Sequence, residues 1–71
     1  MFDYSKLNGR IIEKVNTRNQ LAIKTGISRT TLSLTMNNKR DFSQKEMLSI
    51  ANVLEIPYDE IHIYFFNLKV Q

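Results

Sequence analysis

The side chains best suited to binding a charged partner are concentrated in the middle of the sequence. Residues 14–45 contain seven Lys and Arg residues and one Asp, a net charge of +6, whereas residues 1–13 are neutral and residues 46–71 carry −3. The 71 residues together carry +3 at pH 7. A basic segment of this kind indicates a surface for an anionic partner such as nucleic acid, and chance scatter of solvated charges is the alternative.

No set of side chains in the sequence is typical of an enzyme. There is no cysteine, so disulfides and thiolate metal sites are excluded, and the only histidine is His62. Asp59 and Glu60 form a carboxylate pair, but adjacent residues on a helix point in different directions. No glycine-rich loop is present that would bind a phosphate. We therefore expect no catalytic activity, no cofactor or metal, and no small-molecule substrate.

The length and the scarcity of turn residues indicate one small helical domain. A chain of 71 residues forms one domain at most, and two glycines and one proline are too few for a β-rich fold. No apolar run reaches the roughly 18 residues that span a membrane, and the first residues do not resemble a signal peptide. The sequence therefore predicts a single all-α domain over residues 1–71.

Capping residues and apolar spacing predict five short helices. Thr17 and Ser43 each begin a capping-box pattern, with Gln20 and Glu46 three residues later, and Ser28 is a third N-cap residue. The expected helices cover residues 5–15, 18–24, 29–37, a stretch after Ser43, and 58–66. Within the last of these, residues 61–66 are rich in β-formers, and a strand is the alternative.

The apolar side chains that recur at helical spacing define the expected core. In the first helix they include Ile12. The expected core residues are Leu7, Ile11, Val15, Leu21, Ala22, Ile27, Leu32, Met36, Met47, Ile50, Leu54, Ile56 and Ile61.

Residues 18–37 have the pattern of a helix-turn-helix. A helix of about seven residues is followed by a tight turn at Gly26 and a second helix that begins after Ser28. Ala22 is small, which allows the second helix to cross closely, and Leu32 faces inward. This arrangement leaves the front of the second helix exposed, and in helix-turn-helix proteins that surface enters the DNA major groove.

This stretch resembles the helix-turn-helix of small phage repressor and Cro-type proteins. The pattern Q-L-A-x-x-x-G-I-S-x-x-T-L-S at residues 20–33 matches the core of that motif, and the resemblance extends over residues 3–66. It is nearest to small proteins of temperate phages of Gram-positive bacteria. The resemblance implies a compact five-helix domain of the lambda-repressor type. Two positions depart from the family pattern, with Arg18 where glutamine is usual and Leu34 where a basic residue is common.

The resemblance also implies a DNA-binding surface on the second and third helices. Arg29 is long enough to reach the O6 and N7 atoms of guanine, and Thr30, Ser33 and Leu34 face outward beside it. Basic and polar residues at the start of the second helix and after the third helix are placed to meet phosphates. The expected DNA-contacting residues are Arg18, Asn19, Ser28, Arg29, Thr30, Ser33, Leu34, Asn38, Lys39 and Arg40.

Two functions of different classes fit this interpretation. The first is a Cro-like repressor of a phage lysis–lysogeny switch that binds double-stranded operator DNA in the bacterial cytoplasm, where two half-sites favour a homodimer. The second is an antirepressor that uses the surface of the third helix to bind the DNA-binding domain of the cognate phage repressor. The modest net charge and the apolar Leu34 are the reasons for keeping the second function.

The C-terminal apolar stretch predicts a further interface. Five large apolar side chains lie within residues 61–66. A helix buries only one stripe, so we expect Ile61 and Phe65 to face the core, with Tyr64 beside them as an alternative. We assign Ile63, Tyr64 and Phe66 to a dimer or partner interface within residues 61–70. This interface forms either as a docked helix or by pairing of an extended segment over residues 64–70. Internal packing of all five side chains is the alternative.

Overall fold

The computed structural model describes residues 1–69, which fold into five helices. Their bounds are α1 Ser5–Val15, α2 Arg18–Thr25, α3 Arg29–Met36, α4 Gln44–Val53 and α5 Ile61–Phe65. Residues 1–69 contain no strand beyond one isolated antiparallel bridge between Phe2 and Leu68. The predicted all-α fold with five helices is confirmed. None of the helices in residues 1–69 is both long enough and apolar enough to cross a membrane.

Side-chain caps set the first residues of three helices where the sequence predicted them. The Ser28 hydroxyl accepts a hydrogen bond from the Thr31 N–H at 3.0 Å. At α4, the Ser43 hydroxyl accepts from the Glu46 N–H at 3.1 Å, and the Glu46 carboxylate accepts from the Ser43 N–H at 2.8 Å. The expected capping box at Ser43 is therefore complete.

The capping box expected at Thr17 is only half formed. The Thr17 hydroxyl accepts from the Gln20 N–H at 3.1 Å. The Thr17 N–H, which the Gln20 side chain was expected to bind, donates instead to the Val15 carbonyl at 2.9 Å. The reason is the tight turn between α1 and α2, in which Asn16 adopts φ 76° and brings that carbonyl within reach.

The fifth helix is shorter than the sequence predicted. A 3-10 turn over Tyr58–Glu60 follows Pro57, and the α-helix occupies only Ile61–Phe65. The expectation of one helix over residues 58–66 is wrong in this respect. The strand alternative for residues 61–66 is wrong as well, because residues 61–65 are helical.

One cluster of apolar side chains forms the core. Phe65 is 2 % exposed, as expected for the inward face of α5, whereas Ile27, Met47 and Ile61 are only partly buried. Ile12 shares the helical spacing of the core residues of α1 but was not among the expected core residues, and it is 57 % exposed. The buried apolar residues are Tyr4, Leu7, Ile11, Val15, Leu21, Ala22, Leu32, Met36, Ile50, Ala51, Leu54, Ile56 and Phe65.

Aromatic rings close one end of this core. Tyr4 precedes α1, so the spacing within the helix did not predict its burial. Its ring packs edge-on against Phe42 with centroids 5.5 Å apart, and Phe42 packs edge-on against Phe65 at 5.3 Å. Edge-to-face pairs of this kind contribute beyond the area that they bury. They fix α5 against the loop between α3 and α4.

A polar network joins the end of α3 to the start of α4. The Thr35 side chain is fully buried, and its hydroxyl donates to the Thr31 carbonyl at 2.8 Å. Arg40 donates to the Thr35 hydroxyl at 2.7 Å and forms an ion pair with the Glu46 carboxylate at 3.1 Å. The loop between the two helices is therefore held by a charged side chain that bonds to both of them.

We expect replacement of Glu46 to change how stability depends on pH. Burial acts to raise the pKa of Glu46, but the Ser43 N–H bond and Arg40 outweigh it and hold the pKa below the ordinary 4.5. A carboxylate with a lowered folded-state pKa stabilises the protein above its ordinary pKa, and this contribution is lost as the pH falls through the folded pKa. Wild type should therefore lose more of its urea midpoint between pH 7 and pH 3 than Glu46→Gln.

The matched control for this experiment is Glu13→Gln. Glu13 lies 4.0 Å from Arg10, and its side chain is 65 % exposed, so it should contribute little. Equal losses of urea midpoint in wild type and Glu46→Gln would show that the Arg40–Glu46 pair does not stabilise the fold.

Candidate interaction surface on the second and third helices

The relative position of α2 and α3 is set by a short turn and by their buried faces. Gly26 ends α2 in the left-handed conformation with φ 77°, and its N–H donates to the Ala22 carbonyl at 2.9 Å. Leu21 and Leu32 are at most 1 % exposed, and Ala22 is 9 % exposed. A side chain at position 26 would be strained in this conformation, so glycine is the suitable residue. The buried faces leave one side of α3 in contact with solvent.

The outer side of α3 brings together four of the predicted site residues. Arg29, Thr30, Ser33 and Leu34 line a shallow concavity of about 400 Å³, and we call these four residues the α3 face. All four are exposed, and Leu34 is 44 % exposed. The α3 face therefore combines a guanidinium, two hydroxyl groups and one apolar side chain on a single helix.

The residues predicted around the start of α2 and α3 are also exposed. Arg18 and Asn19 form the first turn of α2, and both are exposed to solvent. Ser28 is exposed as well, but its hydroxyl is engaged as the N-cap of α3 and also donates to the Thr31 hydroxyl at 2.8 Å. Ser28 therefore positions the first turn of α3 more than it offers a group to a partner.

Asn38 does not have the exposed position that a phosphate contact needs. It follows α3 with φ 61°, and its N–H and that of Lys39 donate to carbonyls of the last turn of α3. Its side-chain oxygen accepts from the Phe2 N–H at 2.8 Å, and its side-chain nitrogen donates to the Phe2 carbonyl at 2.9 Å. Both polar atoms of the Asn38 amide thus hold the N-terminal segment.

The basic residues differ in how much they are engaged within the fold. Arg40 is half-buried and bonded to Thr35 and Glu46, whereas Lys39 beside it is exposed. Three ion pairs occur among residues 1–69, and none of them includes Arg18, Arg29 or Lys39. Of the four basic residues predicted to contact DNA, these three are therefore without an ion pair in the described part of the chain.

The C-terminal segment combines one anchored aromatic with one exposed aromatic. Phe65 is buried, Ile63 and Tyr64 are half-buried, and Phe66 is 50 % exposed. Phe66 also borders a concavity of about 370 Å³ between α4 and α5, which Leu48 lines from the other side. Of the three predicted interface residues, Phe66 is the one that lines this concavity, and Leu48 is a neighbour that the sequence did not single out.

The chain beyond Phe66 pairs with the N-terminus of the same molecule. The Asp3 N–H donates to the Asn67 carbonyl at 2.7 Å, and the Lys69 N–H donates to the Met1 carbonyl at 3.0 Å. The expectation of an extended segment over residues 64–70 is wrong at residues 64 and 65, which are helical, and residues 67–69 pair with the N-terminus of the same molecule instead of a partner. Val70 lies outside the described residues. In the same part of the chain, residues 1–69, no three His, Asp or Glu side chains are grouped to hold a metal ion.

Comparison with known proteins gives the family of this chain. Residues 1–68 match the family described as "Protein of unknown function (DUF739)", and the chain belongs to that family. The family description carries no helix-turn-helix or Cro assignment. No curated protein is similar to this chain.

A solved structure similar to this chain is the solution structure of the modulator of repression (MOR) of the temperate bacteriophage TP901-1 from Lactococcus lactis. The two chains are 43 % identical and superimpose with a TM-score of 0.81, over 99 % of this chain and 95 % of that chain. The predicted resemblance to small proteins of temperate phages is confirmed to this extent.

If the surface around Phe66 mediates self-association, Phe66→Asp should abolish it. A carboxylate placed at the centre of an apolar contact opposes burial strongly, whereas Phe66 is exposed enough for the change to leave the core intact. Sedimentation velocity over a range of concentrations should show a mass that rises for wild type and for the control Ile12→Asp, which alters an exposed residue of α1, but not for Phe66→Asp. A constant monomer mass for all three proteins would exclude a homodimer through this surface.

Proposed function

We propose that this chain modulates repression in a temperate bacteriophage by binding the phage repressor through the α3 face. Support for the role in repression comes from the solved protein with which it shares 43 % of its residues, a phage modulator of repression. Support for the mode of binding comes from the side chains on α2 and α3.

The observation that carries this proposal is the exposed apolar residue in the α3 face. Leu34 is 44 % exposed and lies beside Arg29 and two hydroxyl residues. The centres of protein interfaces are apolar and enriched in arginine, with polar groups around them. In a DNA groove, the only apolar group that Leu34 meets is a thymine methyl. A protein partner therefore buries more of the Leu34 side chain than DNA does.

The internal bonds of Asn38 and Arg40 support the same conclusion. DNA affinity depends strongly on how many phosphates a protein contacts and neutralises. Asn38 and Arg40 were expected to supply two contacts, yet both side chains are bonded within the fold. Fewer phosphate contacts lower the affinity for DNA but do not affect a protein interface.

The mechanism we propose is mutual exclusion. If the α3 face covers the DNA-binding domain of the repressor, that domain cannot contact the operator at the same time. Operator occupancy then falls as the concentration of this chain rises above the dissociation constant of the protein complex. No catalytic step and no cofactor are needed, because the equilibrium alone releases the operator.

A second candidate function is direct operator binding as a Cro-like repressor, in which α2 and α3 act as a helix-turn-helix. The observation that favours it is the exposure of Arg18, Arg29 and Lys39, which are unpaired with any carboxylate among residues 1–69. Arg29 at the first position of α3 is placed as a guanine-reading arginine would be, with Thr30 and Ser33 beside it.

We expect Leu34→Asp to abolish binding to the repressor of the same phage. Replacing an apolar residue at an interface centre by a carboxylate should weaken the complex by about 100-fold or more. The matched control is Ile12→Asp, because Ile12 is a similarly exposed aliphatic residue at 57 % on α1, outside both the α3 face and the surface around Phe66. Titration calorimetry with purified full-length repressor measures both. Binding that survives Leu34→Asp, or that fails equally in both variants, would contradict the proposed surface.

For the second candidate, we expect wild type to bind the switch-region DNA without the repressor. Arg29→Ala should then cost about 1–3 kcal/mol on the cognate site, and Arg18→Ala and Lys39→Ala should each reduce the log–log salt slope by about 1. Lys24→Ala is the comparison variant, whose slope should be unchanged because Lys24 is an exposed lysine outside the predicted DNA-contacting residues. Gel retardation at several salt concentrations measures these quantities, and an absence of retardation without repressor excludes this candidate.

A further inference from the structure

A polar cleft next to the end of α3 brings together two basic residues that are far apart in the sequence. Arg18, from the first turn of α2, and Lys69, near the C-terminus, line this cleft of about 230 Å³. Neither side chain takes part in an ion pair within residues 1–69. Asn8 also lines the cleft, and its side-chain amide has no hydrogen bond to another described residue. The cleft therefore offers two cations and an amide group to a ligand.

The walls of the cleft are held in place by the pairing of the two ends of the chain. Lys69 is fixed through its N–H, which donates to the Met1 carbonyl at 3.0 Å, and Phe2 forms the bridge with Leu68. On its other edge, Phe2 is bonded twice to the Asn38 side chain. The backbone at Lys69 is thus connected to the end of α3, and the cleft is formed before any ligand binds.

The charge inside the cleft matches a ligand with a single negative charge. Asp3 lines the cleft, and its carboxylate accepts from the hydroxyl and the N–H of Ser5. The Ser5 hydroxyl bond, the Ser5 N–H bond and, more weakly, the nearby Lys69 hold the pKa of Asp3 below 3.8. Asp3 is therefore ionised at neutral pH, and two cations face one carboxylate.

A polyanion is a poorer match for this cleft than a single carboxylate. Duplex DNA brings about one negative charge per 1.7 Å of its axis. Asp3 lies inside the cleft, and its carboxylate repels a row of phosphates. One carboxylate side chain, by contrast, can pair with the planar guanidinium through two parallel bonds.

We propose that the cleft between Arg18 and Lys69 binds one carboxylate side chain of the phage repressor, beside the contact made by the α3 face. This inference rests on the proposed function and adds to it a second, charged contact. The apolar contact at Leu34 supplies affinity, and the charged contact fixes the orientation of the partner. In this proposal Lys69 binds the partner as well, although it lies outside the α3 face.

The test measures repressor binding by variants of the full chain. Arg18→Ala and Lys69→Gln should each weaken the complex with full-length repressor by about tenfold at low salt, and the double variant should be little weaker than either single one, because both cations serve one carboxylate. The loss should shrink as salt is raised. Lys45→Gln and Lys24→Gln, which alter exposed lysines outside the cleft, should bind as wild type does.

The outcomes separate this inference from the proposed function. If Leu34→Asp abolishes binding but Arg18→Ala and Lys69→Gln leave it unchanged, the cleft has no role and the α3 face stands. If wild type does not bind the repressor, the proposed function and this inference are both wrong. If the two cleft variants keep repressor binding but lose retardation of duplex DNA, the cleft binds phosphate and the inference is wrong. Circular dichroism of each variant confirms that it is folded.

Discussion

The packing of α2 against three other helices is the interaction on which the rest of the structure depends. α2 contacts α1, α3 and α4, and its inward residues Leu21 and Ala22 are buried. α2 and α3 have eight residues each and α5 has five, and helices this short do not persist alone in water. Truncating a fully buried leucine costs about 2–5 kcal/mol, a large part of the roughly 5–15 kcal/mol that stabilises a domain. Without this packing, α3 would not present its outer face.

Because the apolar core is small, polar side chains form several of the contacts that hold the helices together. Arg10 of α1 donates to the carbonyls of Leu54 and Glu55 at 2.9 and 2.8 Å, where α4 ends, and so fastens the two helices together. Arg40 joins α3 to α4, and Asn38 joins α3 to the N-terminus. Within residues 1–69 no buried side-chain nitrogen or oxygen lacks a partner. A polar side chain that forms one of these bonds stabilises the fold, and the bonded atoms are then not available to a ligand.

The sequence predicted those features whose cause is local. Ser28 and Ser43 cap the residues that follow them, and Gly26 ends α2, because caps and left-handed turns depend on only a few neighbouring residues. Helical spacing likewise identified most of the core and the four residues of the α3 face.

Features that depend on contacts between distant residues could not be predicted from the sequence. Asn38 bonds to a residue 36 positions away, and Arg10 to one 44 positions away. No periodicity distinguishes such side chains from solvated ones, so Asn38 and Arg40 were expected to contact phosphates. Lys69 was not singled out at all, because only the pairing of the two chain ends brings it next to Arg18. The sequence thus predicted the residues of the candidate site that lie on α3, but it did not predict the cleft beyond the end of that helix.

The two candidate partners, DNA and the repressor, differ in how many polar side chains they need that are not already bonded within the fold. Each neutralised phosphate adds about 0.9 to the salt slope of DNA binding. Of the basic residues that the sequence predicted to contact phosphates, Arg40 is bonded within the fold, and Arg18 and Lys39 remain without an ion pair in residues 1–69. A DNA-binding role would then need a dimer to double the number of contacts. The proposed recognition of the repressor has no such requirement, because burial of an apolar side chain contributes affinity that does not depend on phosphate contacts. The proposal of a protein partner therefore rests on one exposed apolar side chain of α3 and on the internal bonds of Asn38 and Arg40 that follow it.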